Sequence, residues 1–168
     1  MSANFLNLTI IFGANYLIFL LLLLAAIFFF KQVAQTKKQL IIMGLVSLPL
    51  IYLVAKLGSM FYFNPRPFVT GGFLPLIPHS PDNGFPSDHV LLSSALAMVI
   101  FYYNKKSGLI IMDLSILVGI SRVLAGVHHS IDIIGSIVIS IIISSLVYYL
   151  VMPPLLSLLK KFSHKKAA

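Results

Sequence analysis

Five hydrophobic stretches, residues 9–30, 40–58, 89–103, 108–126 and 131–152, dominate the 168-residue chain and decide the solvent it folds in. A helix that crosses a bilayer needs ~20 apolar residues at a rise of about 1.5 Å each, and these stretches meet or approach that length. With 59% hydrophobic and only 10% charged residues, an ordinary soluble domain is excluded. The sequence therefore predicts an all-α integral membrane protein. Its form is a bundle of about five transmembrane helices with a long exterior loop, a single membrane-embedded domain over residues 1–168 with a motif core over 56–132. The third stretch is short and gains length only if its helix begins near Ser87, with polar residues at its mouth. The first reads as a span rather than a secretory signal, because no basic residue precedes it and its apolar run exceeds a signal core.

A net charge of +8 invites a nucleic-acid reading, but the placement of the lysines opposes it. Lys31, Lys37 and Lys38 lie between the first two stretches, Lys105 and Lys106 between the third and fourth, and Lys160, Lys161, Lys165 and Lys166 after the fifth. Alternating spans put all of these on one face, which the positive-inside rule makes cytoplasmic. The 59–88 loop and the 127–130 turn then face the exterior side. Membrane lipids, not nucleic acid, are the partners implied, and oligomeric state is left open. Cysteine is absent, so neither a disulfide framework nor a thiolate nucleophile enters the argument.

The 59–88 loop is dense in turn formers, Pro65, Pro67, Gly71, Gly72, Pro75, Pro78, Pro81, Gly84 and Pro86 among them. Loops beyond ~12–15 residues in compact domains are usually functional or disordered, and Phe61, Phe68, Phe73, Leu74 and Leu76 argue against disorder. The loop is expected to fold back over the mouth of the bundle. Pro153-Pro154 is expected to end the fifth span, leaving 155–161 as a short amphipathic segment along the interface.

Chemistry concentrates at that mouth. Ser121-Arg122, then His128 after five residues and Asp132 after three more, join a guanidinium, an imidazole and a carboxylate at the edge of an apolar segment. Arg66-Pro67 and Pro86-Ser87-Asp88-His89 add a second guanidinium, a helix-start hydroxyl and another imidazole. His128 and Asp132 are four apart and share a helix face if the helix starts near His128. A carboxylate that accepts one ring N–H fixes the tautomer and leaves the other nitrogen free to attack phosphorus. Arg66 and Arg122 offer permanently charged forks that match phosphate oxygens. Ser87 is a natural N-cap, whose hydroxyl would join the amides of Asp88 and His89 in facing an anion. The cluster reads as a phosphate-handling site.

In order and spacing these three segments resemble the type 2 phosphatidic acid phosphatases, whose site is similar to that of vanadium haloperoxidases. The text Tyr62-Phe63-Asn64-Pro65-Arg66-Pro67-Phe68-Val69 with Phe85-Pro86-Ser87-Asp88-His89 looks most like the undecaprenyl-diphosphate phosphatase branch. That resemblance implies a phosphatase in which His128 is the phosphohistidine-forming nucleophile, Asp132 its orienting carboxylate and His89 the general acid. Arg66, Arg122, Ser87 and Asp88 would surround the phosphate. The implied substrate is a polyprenyl diphosphate, with the product supporting cell-wall synthesis. No cofactor is implied, and with four carboxylates in the chain no metal cage is recognisable.

Two positions depart from the broad family pattern. Ser59 stands where its first signature places a lysine, which leaves Lys56, ten residues before Arg66, as a substitute that would reach in only past a distorted helix end. Asp88 replaces the usual glycine, and its carboxylate beside phosphate must turn away or find a cation. His79 is a candidate contact for a second phosphate, His129 is expected to face lipid headgroups, and Asp113 should face the bundle or reach a lysine such as Lys105. The residues alone leave open a phosphatidic acid or phosphatidylglycerol phosphate phosphatase, and a non-enzymatic small transporter or interaction protein.

Overall fold

The computed structural model describes residues 3–167. Its helices run in the order α1 (Ala3–Asn15), α2 (Leu17–Phe30), α3 (Ala34–Phe61), the single-turn α4 (Pro67–Gly71), α5 (Asp88–Phe101), α6 (Lys105–Leu124), α7 (Ser130–Leu146), a π-helical turn (Val147–Val151) and α8 (Met152–Ala167). The protein is an all-α, multi-pass membrane protein. Three helices are long and apolar enough to cross a membrane by length and composition, counting Ser130–Leu159 as one, and the bent pair α1–α2 makes a fourth.

α5 lies at the centre, packed against α2, α3, α6 and α7. It buries nine of its residues although it has only 14. What holds it there is polar as well as apolar. Lipid tails offer a helix no less apolar surface than another helix does, so close contact and hydrogen bonds decide association in a bilayer. Ser93 Oγ lies 2.6 Å from Ser115 Oγ of α6, and the hydroxyls of Ser94 and Ser140 are 2.9 Å apart between α5 and α7. Ser136 Oγ donates to the Ser87 carbonyl at 3.0 Å. On α7 the fully buried residues Asp132, Ser136, Ser140 and Ser144 repeat every four positions, one stripe facing α5.

Two expectations are corrected. The first stretch is not one straight span: it breaks at Tyr16 with a bend of 46°. That break leaves the Ala14 carbonyl free to accept from Arg122 Nη1 at 3.1 Å. At the other end, Pro153-Pro154 does not stop the chain: the helix is continuous from α7, and the wide π turn directly before the prolines, closed by the Met152 N–H on the Val147 carbonyl, makes room for their rings although two backbone donors are lost. The helix therefore runs on through 155–161. The side chains of Lys160, Lys165 and Lys166, assigned above to the basic face, lie outside the described residues.

Candidate active site

A tight reversal between α6 and α7 delivers the central imidazole. Gly126 takes φ +79°, a left-handed backbone that side-chain-bearing residues rarely adopt, and the chain turns inward through Val127 and His128. His128 is 2% exposed and Asp132, in the first turn of α7, is fully buried. One carboxylate oxygen, Oδ2, accepts the His129 backbone N–H at 2.9 Å and lies 3.3 Å from His128 Nδ1; the other, Oδ1, accepts from Asn64 Nδ2 at 2.7 Å. With the carboxylate held on three sides, the imidazole ring has its Nδ1 edge fixed and its Nε2 edge left for chemistry. Burial lowers the His128 pKa below the ordinary 6.5; the Asp132 hydrogen bond opposes this, while Arg122 and Arg66 add to it. The ring is thus neutral at neutral pH.

Arg66 enters from the start of α4 and is buried. Its Nη1 donates to the Val127 carbonyl at 2.8 Å and lies 3.3 Å from His128 Nε2. Its Nε donates to Asp82 Oδ1 at 2.7 Å, and the Asp82 side chain is 62% exposed. Partial burial works against the ionised Asp82 carboxyl, but the Arg66 hydrogen bond and charge outweigh it and hold the pKa below the usual carboxylate value. Asn83 fastens the loop to the end of α3: its Oδ1 accepts from the backbone N–H of Asn64 at 2.9 Å and of Phe85 at 3.0 Å, and its Nδ2 donates to the carbonyls of Ser59 and Tyr62 at 3.0 Å each. Gly84 follows because nothing larger fits; a Cβ there would stand 2.9 Å from Asp132 Oδ2 and 3.1 Å from the Asn64 carbonyl.

Arg122, from the last turn of α6, is 2% exposed, and its Nε has no hydrogen-bond partner among the described residues. Ser87 occupies the N-cap position of α5, but its hydroxyl does not cap the helix: the Oγ is buried and equally without a partner. Unpaired buried donors are costly unless a ligand completes them, so both point to an anion at the start of α5. His89 is half-buried in the first turn of the same helix, within electrostatic reach of Arg122, His128 and His79. Lys56 and Asp88 are exposed and line, with Tyr52, Arg66, Asp82 and Asn83, an adjoining polar cavity of about 260 Å³.

The structure therefore brings together Arg66, Ser87, His89, Arg122, His128 and Asp132. It leaves Lys56 and Asp88 at the rim, neither of them in an ion pair among the described residues. His129 does not face headgroups; its Nε2 lies 3.1 Å from the Pro65 carbonyl and helps hold the Arg66 segment. Asp113 neither faces the bundle nor reaches a lysine. The inner face of α6 is taken by Ile111, Ser115, Val118 and Arg122, and position 113 falls on the exposed side, two turns from Lys105. Asn64, Asp82 and Asn83 are site residues that the motif reading missed, and the Asn83-Gly84 turn pair was the signal for one of them.

The protein is thus an all-α membrane bundle that sets an imidazole–carboxylate pair and two buried guanidiniums together at one end. The chain belongs to the PAP2 superfamily, whose family model matches residues 15–154. Among curated relatives it is similar to "Undecaprenyl-diphosphatase BcrC" of Bacillus subtilis (strain 168), 37% identical over 107 residues, which are 64% of this chain and 53% of that protein. The match thus spans about half of that relative's length. It is also similar to "Bacitracin transport permease protein BcrC" of Bacillus licheniformis, 28% identical over 148 residues, 86% of this chain and 71% of that one. In fold it matches the crystal structure of Aquifex aeolicus LpxE with a TM-score of 0.63 at 24% identity, covering 86% of each chain.

Proposed function

We propose that the protein is a lipid-diphosphate phosphatase that converts undecaprenyl diphosphate to undecaprenyl phosphate and orthophosphate at the exterior face of a bacterial plasma membrane. The observation that carries this reading is His128, fixed through Nδ1 by Asp132 and presenting Nε2 beside the Arg66 fork. Family membership and the relative named as an undecaprenyl-diphosphatase support the substrate. Lysines on the opposite turns support the orientation.

The terminal phosphoryl group docks between Arg66, Arg122, the Ser87 hydroxyl and the first amides of α5, exchanging the arginine contacts now made within the protein for phosphate oxygens. The lone pair on His128 Nε2 attacks phosphorus as the bond to the bridging oxygen breaks. His89 gives its proton to that oxygen, and undecaprenyl phosphate leaves. Water then attacks the phosphorus–nitrogen bond, His89 takes the water's proton, and orthophosphate departs with His128 restored. Charge spread over the equatorial oxygens is met by preorganised guanidiniums, which supply positive charge without a metal ion in this mechanism. General acid help of this kind is typically worth about 10²–10⁴ in rate.

The experiment is phosphate release from undecaprenyl diphosphate and from phosphatidic acid in detergent with EDTA present, comparing the native chain with His128→Ala. Turnover that favours the prenyl diphosphate and vanishes in the variant is the expected result. Near-native turnover by His128→Ala overturns the mechanism, and turnover of phosphatidic acid alone overturns the substrate.

A further inference from the structure

The mechanism uses two imidazoles, and a third lies beside them. His79 stands in the loop ahead of Ser87, its ring edge-on to His128 with centroids 6.0 Å apart and planes at 79°. Its position is fixed from both sides. Ile77 is buried among Ile10, Ala14, Ala125 and Val127, and the Leu76 N–H donates to the Ala125 carbonyl at 3.0 Å. Three residues beyond His79, Asp82 is tied to Arg66. The loop thus carries a half-buried ring to the nucleophile by two independent anchors.

Among the described residues that ring has a single hydrogen-bonding neighbour. Its Nδ1 lies 3.4 Å from the Ser80 carbonyl, and Nε2 has no hydrogen bond among the described residues. Burial, then Arg66 and Arg122, and more weakly His128, keep its pKa below the ordinary imidazole value. An unliganded His79 is therefore neutral, and the cations around it are what a second negative charge would offset.

The groups named above suffice for one phosphoryl group: Arg66, Arg122, Ser87 and the α5 amides. A diphosphate brings a second, which those groups leave unmet. We infer that His79 holds the second phosphate of a diphosphate, as an imidazolium donating from Nε2 while Nδ1 donates to Ser80, and so sets a preference for diphosphates over monophosphates. This assignment rests on the phosphatase reading above. His79 is a specificity residue in it, and no bond to His79 forms or breaks.

The test uses the purified full chain and farnesyl diphosphate as the probe substrate, with inorganic pyrophosphate and orthophosphate as competing inhibitors. His79→Ala is expected to raise KM for farnesyl diphosphate and Ki for pyrophosphate by about tenfold or more, the loss of a hydrogen bond to a charged group. Ki for orthophosphate should stay within about twofold and kcat within about threefold, the pattern of a binding contact outside the transferring atoms. His79→Gln, which keeps a donor, should fall between the two, and carries the same comparison if the alanine variant does not fold. An equal rise in both inhibition constants, no rise for pyrophosphate, or a fall in kcat at constant KM overturns the assignment alone. Absence of turnover by the native chain overturns the phosphatase reading and this assignment with it.

Discussion

Nη1 of Arg66 lies 3.3 Å from Nε2 of His128, on the ring edge opposite the Asp132 contact. The guanidinium thus sits against the nitrogen that would attack phosphorus, while its Nε is engaged by Asp82 at 2.7 Å. The protein supplies its own acceptors for the fork, the carbonyls of Val127 and Asn83, an imidazole and a carboxylate. In the proposed mechanism, substrate binding exchanges those acceptors for phosphate oxygens.

The most exposed of these acceptors is Asp82, whose side chain is largely in solvent. Asp82→Asn removes the charge that competes with phosphate for Arg66, and orthophosphate inhibition should tighten about three- to tenfold, with stability changed by less than about 1 kcal/mol as for an exposed pair. Weaker orthophosphate inhibition in the variant would instead make Asp82 a support for Arg66.

Asp132→Asn keeps the size of the side chain and removes its ability to stabilise one tautomer and the developing positive charge on His128. A fall in kcat of about 10²–10⁴ with KM within about threefold is expected, by the logic of carboxylate–histidine pairs in hydrolases. A steady-state comparison in detergent decides it.

pH acts on His128 in a defined direction. Its pKa lies below 6.5, so the nucleophile stays unprotonated through neutral pH, and the acid limb of kcat/KM that this group sets should lie below 6.5. The same shift governs folding: between 6.5 and the lower folded value the unfolded chain binds more protons, so this group's contribution makes stability fall as pH falls. An acid limb centred above 6.5 in kcat/KM would contradict it.

Gly84→Ala places a methyl group 2.9 Å from Asp132 Oδ2 and 3.1 Å from the Asn64 carbonyl. Overpacking of this kind costs about 1–3 kcal/mol, and because the displaced group orients His128, activity should drop along with the unfolding temperature. A fully active, fully stable variant would show that the loop yields freely.

Ser94→Ala separates architecture from chemistry. It removes one hydroxyl from the α5–α7 contact, where interhelical hydrogen bonds in membranes average about 0.6 kcal/mol. Unfolding in mixed micelles should register a loss of that order, with KM unchanged.

Much of this was legible in the chain because the motif residues stand at the ends of apolar runs, where a charged side chain has no structural excuse. His128 and Asp132 are four apart and do meet, but α7 starts at Ser130, so the contact is made across the helix N-terminus, by a carboxylate that also takes the His129 N–H, and not along one helix face as the spacing suggested. Asn64 is different: its partner Asp132 is 68 residues away, and periodicity carries no information about which loop amide crosses to which helix. Asp82 and Asn83 were hidden for the same reason, inside a segment read as turns. The serine stripe of α7 was visible as a spacing of four continuing from Asp132, but small polar residues in a hydrophobic run look incidental until the neighbouring helix is in place. The break at Tyr16 and the continuation through Pro153-Pro154 depend on a free carbonyl and a wide turn, and neither leaves a residue pattern.

The shortness of α5 sets a depth. Its 14 residues rise about 21 Å at about 1.5 Å each, against a hydrocarbon layer about 30 Å thick. With its Tyr102–Lys106 end placed at one surface by aromatic and basic residues, its other end, where Ser87 and His89 stand, stops short of the opposite boundary. A phosphate carried on a membrane-bound chain would then have to sink below its headgroup level to reach the site, and water would have to follow it there.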